Sequence, residues 1–172
     1  EFIRQHLVLL RASLAEKGIP LYLHEVDDFA ACSEFLSDFC NEHQVSHLFY
    51  NKQYEVNEQQ RDDCVTRNLA GKVICQGFDG SVLLPPGSVV TGNREMFKVF
   101  TPFCKAFLRR LRESVPQCVS APAARGEPII PAGDIPFSYP VEQVDAVLFP
   151  CGEKAAIARL REFCQQRAQD YS

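Results

Sequence analysis

Tryptophan is absent from these 172 residues and methionine occurs once, so an indole serves neither the core nor any site. No two cysteines are spaced C-x-x-C, and no histidine flanks one at zinc-finger spacing, which leaves metal and dithiol chemistry without a ligand set. The eight cysteines at 32, 40, 64, 75, 104, 118, 151 and 164 instead read as reduced, small apolar residues on buried faces. That usage fits a cytoplasmic protein, and all eight are expected to be free thiols. No apolar run approaches the length of a membrane span, and no secretory leader is visible. Positive charge is not in excess either, with 22 Asp and Glu against 18 Lys and Arg. A DNA-holding surface is usually basic, so this chain is not expected to hold DNA by itself. A G-x-G-x-x-G turn and a Walker lysine are both missing, so neither a dinucleotide nor an ATP site of the usual kinds is supported.

What is present centres on one crossing. Val45 to Tyr50 is short, apolar and aromatic and reads as a buried strand. A polar run without Gly or Pro follows through Asn57 and Glu58 to Leu69, long enough for a helix of about four turns. Upstream, Phe2 to Lys17 has a helical apolar period, stopped by Lys17, Gly18 and Pro20. Ile19 to Val26 reads as a strand, and Asp27 or Asp28 caps a helix running to about His43. Lys72 to Gln76 reads as a further strand. Helix-length gaps separate these strands, which a hairpin cannot use. The sequence therefore predicts an α/β, Rossmann-like parallel sheet with flanking helices, in which Ile19–Glu25, Ser46–Tyr50 and Lys72–Gln76 are adjacent.

In such sheets ligands bind outside the carboxyl ends of the strands, and Asn57 and Glu58 fall near the first turn of the helix that leaves one of them. Two readings of this pair stand side by side. Amides and carboxylates favour helix N-termini because they satisfy free backbone N–H groups and complement the helix dipole. Alternatively, a carboxylate accepting two parallel N–H bonds suits a 2-amino-pyrimidinone edge such as that of a pterin or guanine. Residue chemistry alone supports both.

After Phe78 the alternation of strand and helix breaks. Asp79-Gly80 signals a tight turn, and Leu84-Pro85-Pro86-Gly87 a rigid segment with a turn after it. Thr101 is expected to cap a helix with Pro102 in its first position, burying Phe103, Phe107, Leu108 and Leu111. Lys105, Arg109, Arg110 and Arg112 face outward there and read as a solvated face. Residues 116–150 hold most of the chain's eleven prolines and read as a long linker, with Ile129, Ile130, Phe137, Tyr139, Val147 and Phe149 as isolated anchors. From Gly152 to Tyr171 a helix returns, with Ala156, Ile157, Leu160 and Cys164 on one face.

Three motifs occur in order: Tyr54-Glu55-Val56-Asn57-Glu58 with Arg61-Asp62, then Leu84-Pro85-Pro86-Gly87, then Thr91-Gly92-Asn93-Arg94-Glu95-Met96-Phe97-Lys98-Val99-Phe100-Thr101-Pro102-Phe103. From about Leu14 onward the chain resembles the class I DNA photolyases of the photolyase/cryptochrome family, above all folate-type cyclobutane pyrimidine dimer photolyases. The resemblance implies an excerpt. Residues 1–115 would be the antenna domain lacking its N-terminal part, 116–150 the interdomain linker, and 151–172 the first helix of a truncated all-α flavin domain.

The resemblance also implies 5,10-methenyltetrahydrofolate as antenna pigment, with Asn57 and Glu58 as its contacts. FAD would be the cofactor of the full-length parent, with Tyr171 touching it. The parent would be a carbon-carbon lyase that splits cyclobutane pyrimidine dimers in damaged DNA by electron transfer from reduced FAD. It is expected to act as a monomer, without metal or membrane. The dimer-binding residues and any electron-transfer tryptophan are not in this stretch, so the excerpt alone is expected to be inactive. Two other classes stand beside this reading: a cryptochrome-type blue-light photoreceptor, and a generic α/β nucleotide-binding module.

Overall fold

A computed structural model describes residues 1–117, 119–130, 135–136 and 138–170. The chain divides into two compact units, one of Glu1–Glu25 with Ser120–Ser172 and the other of Val26–Val119.

The second unit is built on a parallel β–α–β crossover. Helix α2 (Phe29–Glu42) precedes strand β1 (His47–Asn51), helix α3 (Val56–Asn68) and strand β2 (Ile74–Phe78). The strands pair in parallel with His47 beside Ile74 and Asn51 beside Phe78. The α/β fold read from the sequence is thus the fold observed. Asp28 caps α2 as expected, its carboxylate accepting the Ala31 N–H at 2.8 Å.

Packing of α2 against α3 makes the core. Leu69 is fully buried, with Val65, Cys40 and Val73 around it and Leu36, Val45, Leu48 and Cys75 packed against them. Burial pushes the Cys40 and Cys75 thiols above the ordinary thiol range, so both stay protonated and act as apolar fillers. Buried Ser33 accepts a hydrogen bond from the Asn68 amide at 3.0 Å and ties the two helices at a second level. The seven described cysteines, all but Cys118, stand as free thiols.

Helix α2 ends in a Schellman motif. Val45 N–H reaches the Cys40 carbonyl at 2.9 Å and Gln44 N–H reaches that of Asn41, with Gln44 at φ +51°. A side chain held in the left-handed region costs about 1–2 kcal/mol. Glycine removes that cost but gives up about 0.4–1 kcal/mol through the looser unfolded chain. Gln44 is exposed, so nothing else is lost. Gln44→Gly should therefore raise stability by roughly 0.5 kcal/mol, read as a higher urea midpoint. A lower midpoint would show that the entropy term wins.

Several expectations need correction. Ile19–Glu25 is not a strand, and the sheet of the described residues has two strands. A strand exists through its partner's ladder. Pro20 offers no N–H, and Ile19 and Leu21 instead line an apolar cleft with Ile129 and Ile130 within the first unit. The last strand begins at Ile74 and not Lys72, because the Lys72 and Val73 N–H groups both turn back to the Leu69 carbonyl at 3.0 Å. Nor is β1 buried on both faces: Phe49 is 60% and Ile74 61% exposed, while Leu48 and Cys75 on the opposite face meet the core.

Helix α4 (Phe100–Glu113) is capped by the backbone of Val99, so Thr101 is already inside it and Pro102 occupies the third helical position. A first-turn N–H has no helical partner in any case, which is why proline is tolerated there. Among the described residues α4 buries none of its side chains: Phe103, Phe107 and Leu111 are half-buried and Leu108 is exposed.

In the first unit, α1 (Phe2–Ala15) ends as expected at Gly18, which has φ +68°. The Ile19 N–H returns to Leu14 and the Gly18 N–H to Ala15, both at 3.0 Å, a second Schellman motif. The chain end of α1 then receives residues 122–129. Arg125 N–H donates to the Lys17 carbonyl, Ile129 N–H to that of Ala15, and Lys17 Nζ to that of Pro122. Of the expected anchors, Ile129 and Ile130 line the cleft, Tyr139, Val147 and Phe149 are exposed, and Phe137 lies outside the described residues. The last helix is broken: α5 (Glu153–Glu162) passes into one π turn at Phe163–Arg167 and a short 3-10 turn at Ala168–Asp170. Ile157 and Leu160 on it are exposed. Tyr171 lies outside the described residues.

Candidate functional site: the β1–α3 crossing

The carboxyl ends of β1 and β2 meet at one place. Lys52 N–H donates to the Phe78 carbonyl at 2.8 Å, carrying the ladder one residue past β1. Beyond it Gly80 comes so close to Asn51 that a Cβ there would stand 2.5 Å from the Asn51 Oδ1, so a larger residue would have to turn the Asn51 side chain aside. Asp79, the residue after β2, reaches the crossing. Its carboxylate accepts the Tyr54 hydroxyl at 2.9 Å and Lys52 Nζ at 3.3 Å. Burial, and then the Asp79 carboxylate, push the Tyr54 phenol above its ordinary range, so it is a standing donor.

The remaining crossing residues are tied as closely. Gln53 accepts Arg61 Nη2 at 3.0 Å, and the same guanidinium holds Asp62 at 2.7 Å and lies 5.6 Å from the Phe29 ring centroid. Tyr54 donates its N–H to the Glu55 carboxylate, and its carbonyl accepts the Gln59 side-chain amide.

Asn57 and Glu58 stand apart from this frame. Both lie in the first turn of α3, Asn57 exposed and Glu58 half-buried. Among the described residues neither side chain makes a hydrogen bond or ion pair, and the Glu55 side chain does not cap the helix. The capping reading of the pair therefore lacks its hydrogen bond, and only the favourable helix dipole remains to Glu58. An acceptor carboxylate and a carboxamide are both left available to a ligand.

Sequence reasoning found Asn57 and Glu58 but missed the Tyr54–Asp79–Lys52 cluster. Asp79 was visible only as half of a turn signal, 25 residues from Tyr54. The signal lay in the parallel register, which sets the residues after Asn51 beside those after Phe78. Among the described residues no group of His, Cys, Asp and Glu could hold a metal ion, and no helix is long and apolar enough to cross a membrane. On α4, Arg110 pairs with Glu113 at 3.6 Å, and Lys105, Arg109 and Arg112 are exposed.

A parallel β–α–β unit with free polar groups at the carboxyl end of its strands has the layout of an α/β ligand-binding domain. The family is specific: residues 1–123 match the model of the DNA photolyase family, and the chain belongs to it. The chain is 55% identical over 172 residues to a deoxyribodipyrimidine photo-lyase of Escherichia coli (strain K12), covering 99% of this chain and 36% of that protein. It is 53% identical over 173 residues to that of Salmonella typhimurium, with 99% of this chain and 36% of the relative covered. The deoxyribodipyrimidine photo-lyase of Buchnera aphidicola subsp. Acyrthosiphon pisum is 36% identical over 172 residues, with the same coverage. The chain thus spans little more than a third of the length of these relatives.

Proposed function

We propose that this chain is the antenna part of a deoxyribodipyrimidine photolyase, a carbon-carbon lyase that repairs cyclobutane pyrimidine dimers in DNA under light. Residues 1–115 would form the antenna domain, 116–150 the linker and 151–172 the opening helix of the flavin domain. Family membership and the identity to proteins of that name support the reading. The observation that carries it is the pair Asn57 and Glu58, unengaged among the described residues beside a hydrogen-bonded crossing at the carboxyl end of a parallel sheet.

The donor set fits 5,10-methenyltetrahydrofolate. Glu58 is a half-buried acceptor with no partner among the described residues, suited to the paired N–H groups of a pterin edge, and Asn57 offers both a donor and an acceptor beside it. When bound, the folate supplies near-ultraviolet absorption, and FAD in its reduced form supplies the electron that splits the dimer. Tyr171 is assigned to FAD by resemblance to the family alone. Damaged DNA would be met outside this acidic stretch, with the dimer turned out of the duplex. The free thiols of the described cysteines suit a cytoplasmic protein, and the monomeric state rests on resemblance to the family alone.

The test is reconstitution of the longer protein carrying this chain with methenyltetrahydrofolate and FAD. A near-ultraviolet band should titrate in with the folate, and dimers should disappear under light absorbed by it. Absence of the band would refute the folate assignment, and dimers persisting under light absorbed by FAD would refute the photolyase reading.

A further inference from the structure

We propose that Tyr54, braced on Asp79, is a positioning residue for the antenna ligand, holding the first turn of α3 so that Glu58 meets it in register. The inference rests on the folate reading of Glu58 and goes beyond it to ask what fixes that carboxylate.

Four residues, 52 to 55, join β1 to α3. Left alone, such a link would let the helix start shift against the sheet. Here each of the four is held: Lys52 by the Phe78 carbonyl and Asp79, Gln53 by Arg61, Tyr54 by Asp79 and Gln59, and Glu55 by the Tyr54 N–H. Among the described residues, only the Tyr54–Asp79 and Lys52–Asp79 side-chain contacts reach from the crossing to a residue after β2. They are therefore the side-chain contacts that refer α3 to the far strand. Tyr54 makes the shorter bond, and its ring is half-buried, so it is the stiffer of the two. Glu58 lies in the first turn of α3, four residues after Tyr54, and among the described residues has no tether of its own. Its position is inherited from the frame. A ligand contact fixed by neighbouring bonds loses affinity when the supporting bond is removed, even where the contact residue is intact.

The experiment is a double-mutant cycle in the longer protein, reading folate affinity from the near-ultraviolet band. Tyr54→Phe keeps the ring and removes the hydroxyl, and should weaken binding about fivefold and shift the band. In a Glu58→Ala background the same change should do almost nothing, because a positioning residue acts through the group it positions. Asp79→Asn keeps an acceptor for the hydroxyl and should retain most of the affinity, whereas Asp79→Ala should lose as much as Tyr54→Phe. The aspartate pair gives the same decision if Tyr54→Phe does not fold. Unchanged affinity in Tyr54→Phe overturns the proposal. Equal losses with and without Glu58 overturn it too, since Tyr54 would then be a general structural support. If Glu58→Ala alone binds folate like the parent, the site assignment itself fails and the positioning role falls with it.

Discussion

Replacing Glu58 by alanine in the longer protein lowers folate affinity about ten- to a hundredfold, with hardly any change in stability. A charged acceptor facing N–H donors is worth about 1.5–3 kcal/mol, which sets that range. Glu58 has no partner among the described residues, so its loss strands no protein donor. The expected stability change is only the dipole contribution of a first-turn carboxylate, roughly 0.3–1 kcal/mol and at the low end for a side chain partly in water. Glu58→Gln should bind folate nearly as poorly as the alanine variant. It keeps the shape but turns one acceptor oxygen into a donor that meets the ligand's own N–H groups. Flavin content should not change, and repair should fall at wavelengths the folate absorbs. The readout is near-ultraviolet absorbance of reconstituted protein beside a urea midpoint. A lowered midpoint with parental affinity would mark Glu58 as a helix-end carboxylate and nothing more.

The β–α–β unit was legible because its signals are local. An apolar run, a polar run without Gly or Pro, and a second apolar run gave β1, α3 and β2 within two residues. Asp28 and Gly18 were legible for the same reason: a cap and a left-handed stop are decided by one residue and its near neighbours. Ile19–Glu25 shows the limit. Its alternating Leu21 and Leu23 satisfy the strand pattern, yet pattern does not supply a neighbour, and Ile129 lines the cleft beside Ile19 and Leu21 from more than a hundred residues away. Helix α4 shows another. Thr101 and Pro102 resemble a start signal, but the helix opens at Phe100, where a backbone-only cap leaves no trace in the residue types.

At the site, Asn57 and Glu58 were found because the strand-to-helix crossing and the motif both mark them. That neither caps the helix was not legible, since capping is a matter of side-chain direction. Tyr54, Lys52 and Asp79 were missed because their meeting depends on register between two strands, and each residue taken alone is an ordinary loop residue.

Leu69→Ala carries the largest expected cost in stability, about 2–5 kcal/mol. Leu69 is 0% exposed and closes α3 against Cys40 of α2, Val65 and Val73, so truncation leaves a cavity in a small core. Its carbonyl also accepts the Lys72 and Val73 N–H groups, so the backbone there is held and cannot easily collapse into the void. Against a typical total of about 5–15 kcal/mol, such a loss removes a large share of the stability of the α2–α3 layer. Val56→Ala on the same helix, 70% exposed, should stay within roughly 0.5 kcal/mol of the parent. Urea unfolding followed by far-ultraviolet circular dichroism reads both. The pair also separates fold from site, because α3 carries Leu69 at one end and Glu58 at the other. Leu69→Ala should weaken folate binding only under conditions where the helix signal falls, whereas Glu58→Ala weakens it with the helix intact. A Leu69→Ala midpoint within error of the Val56→Ala midpoint would mean that the α2–α3 contact is not the core of this unit.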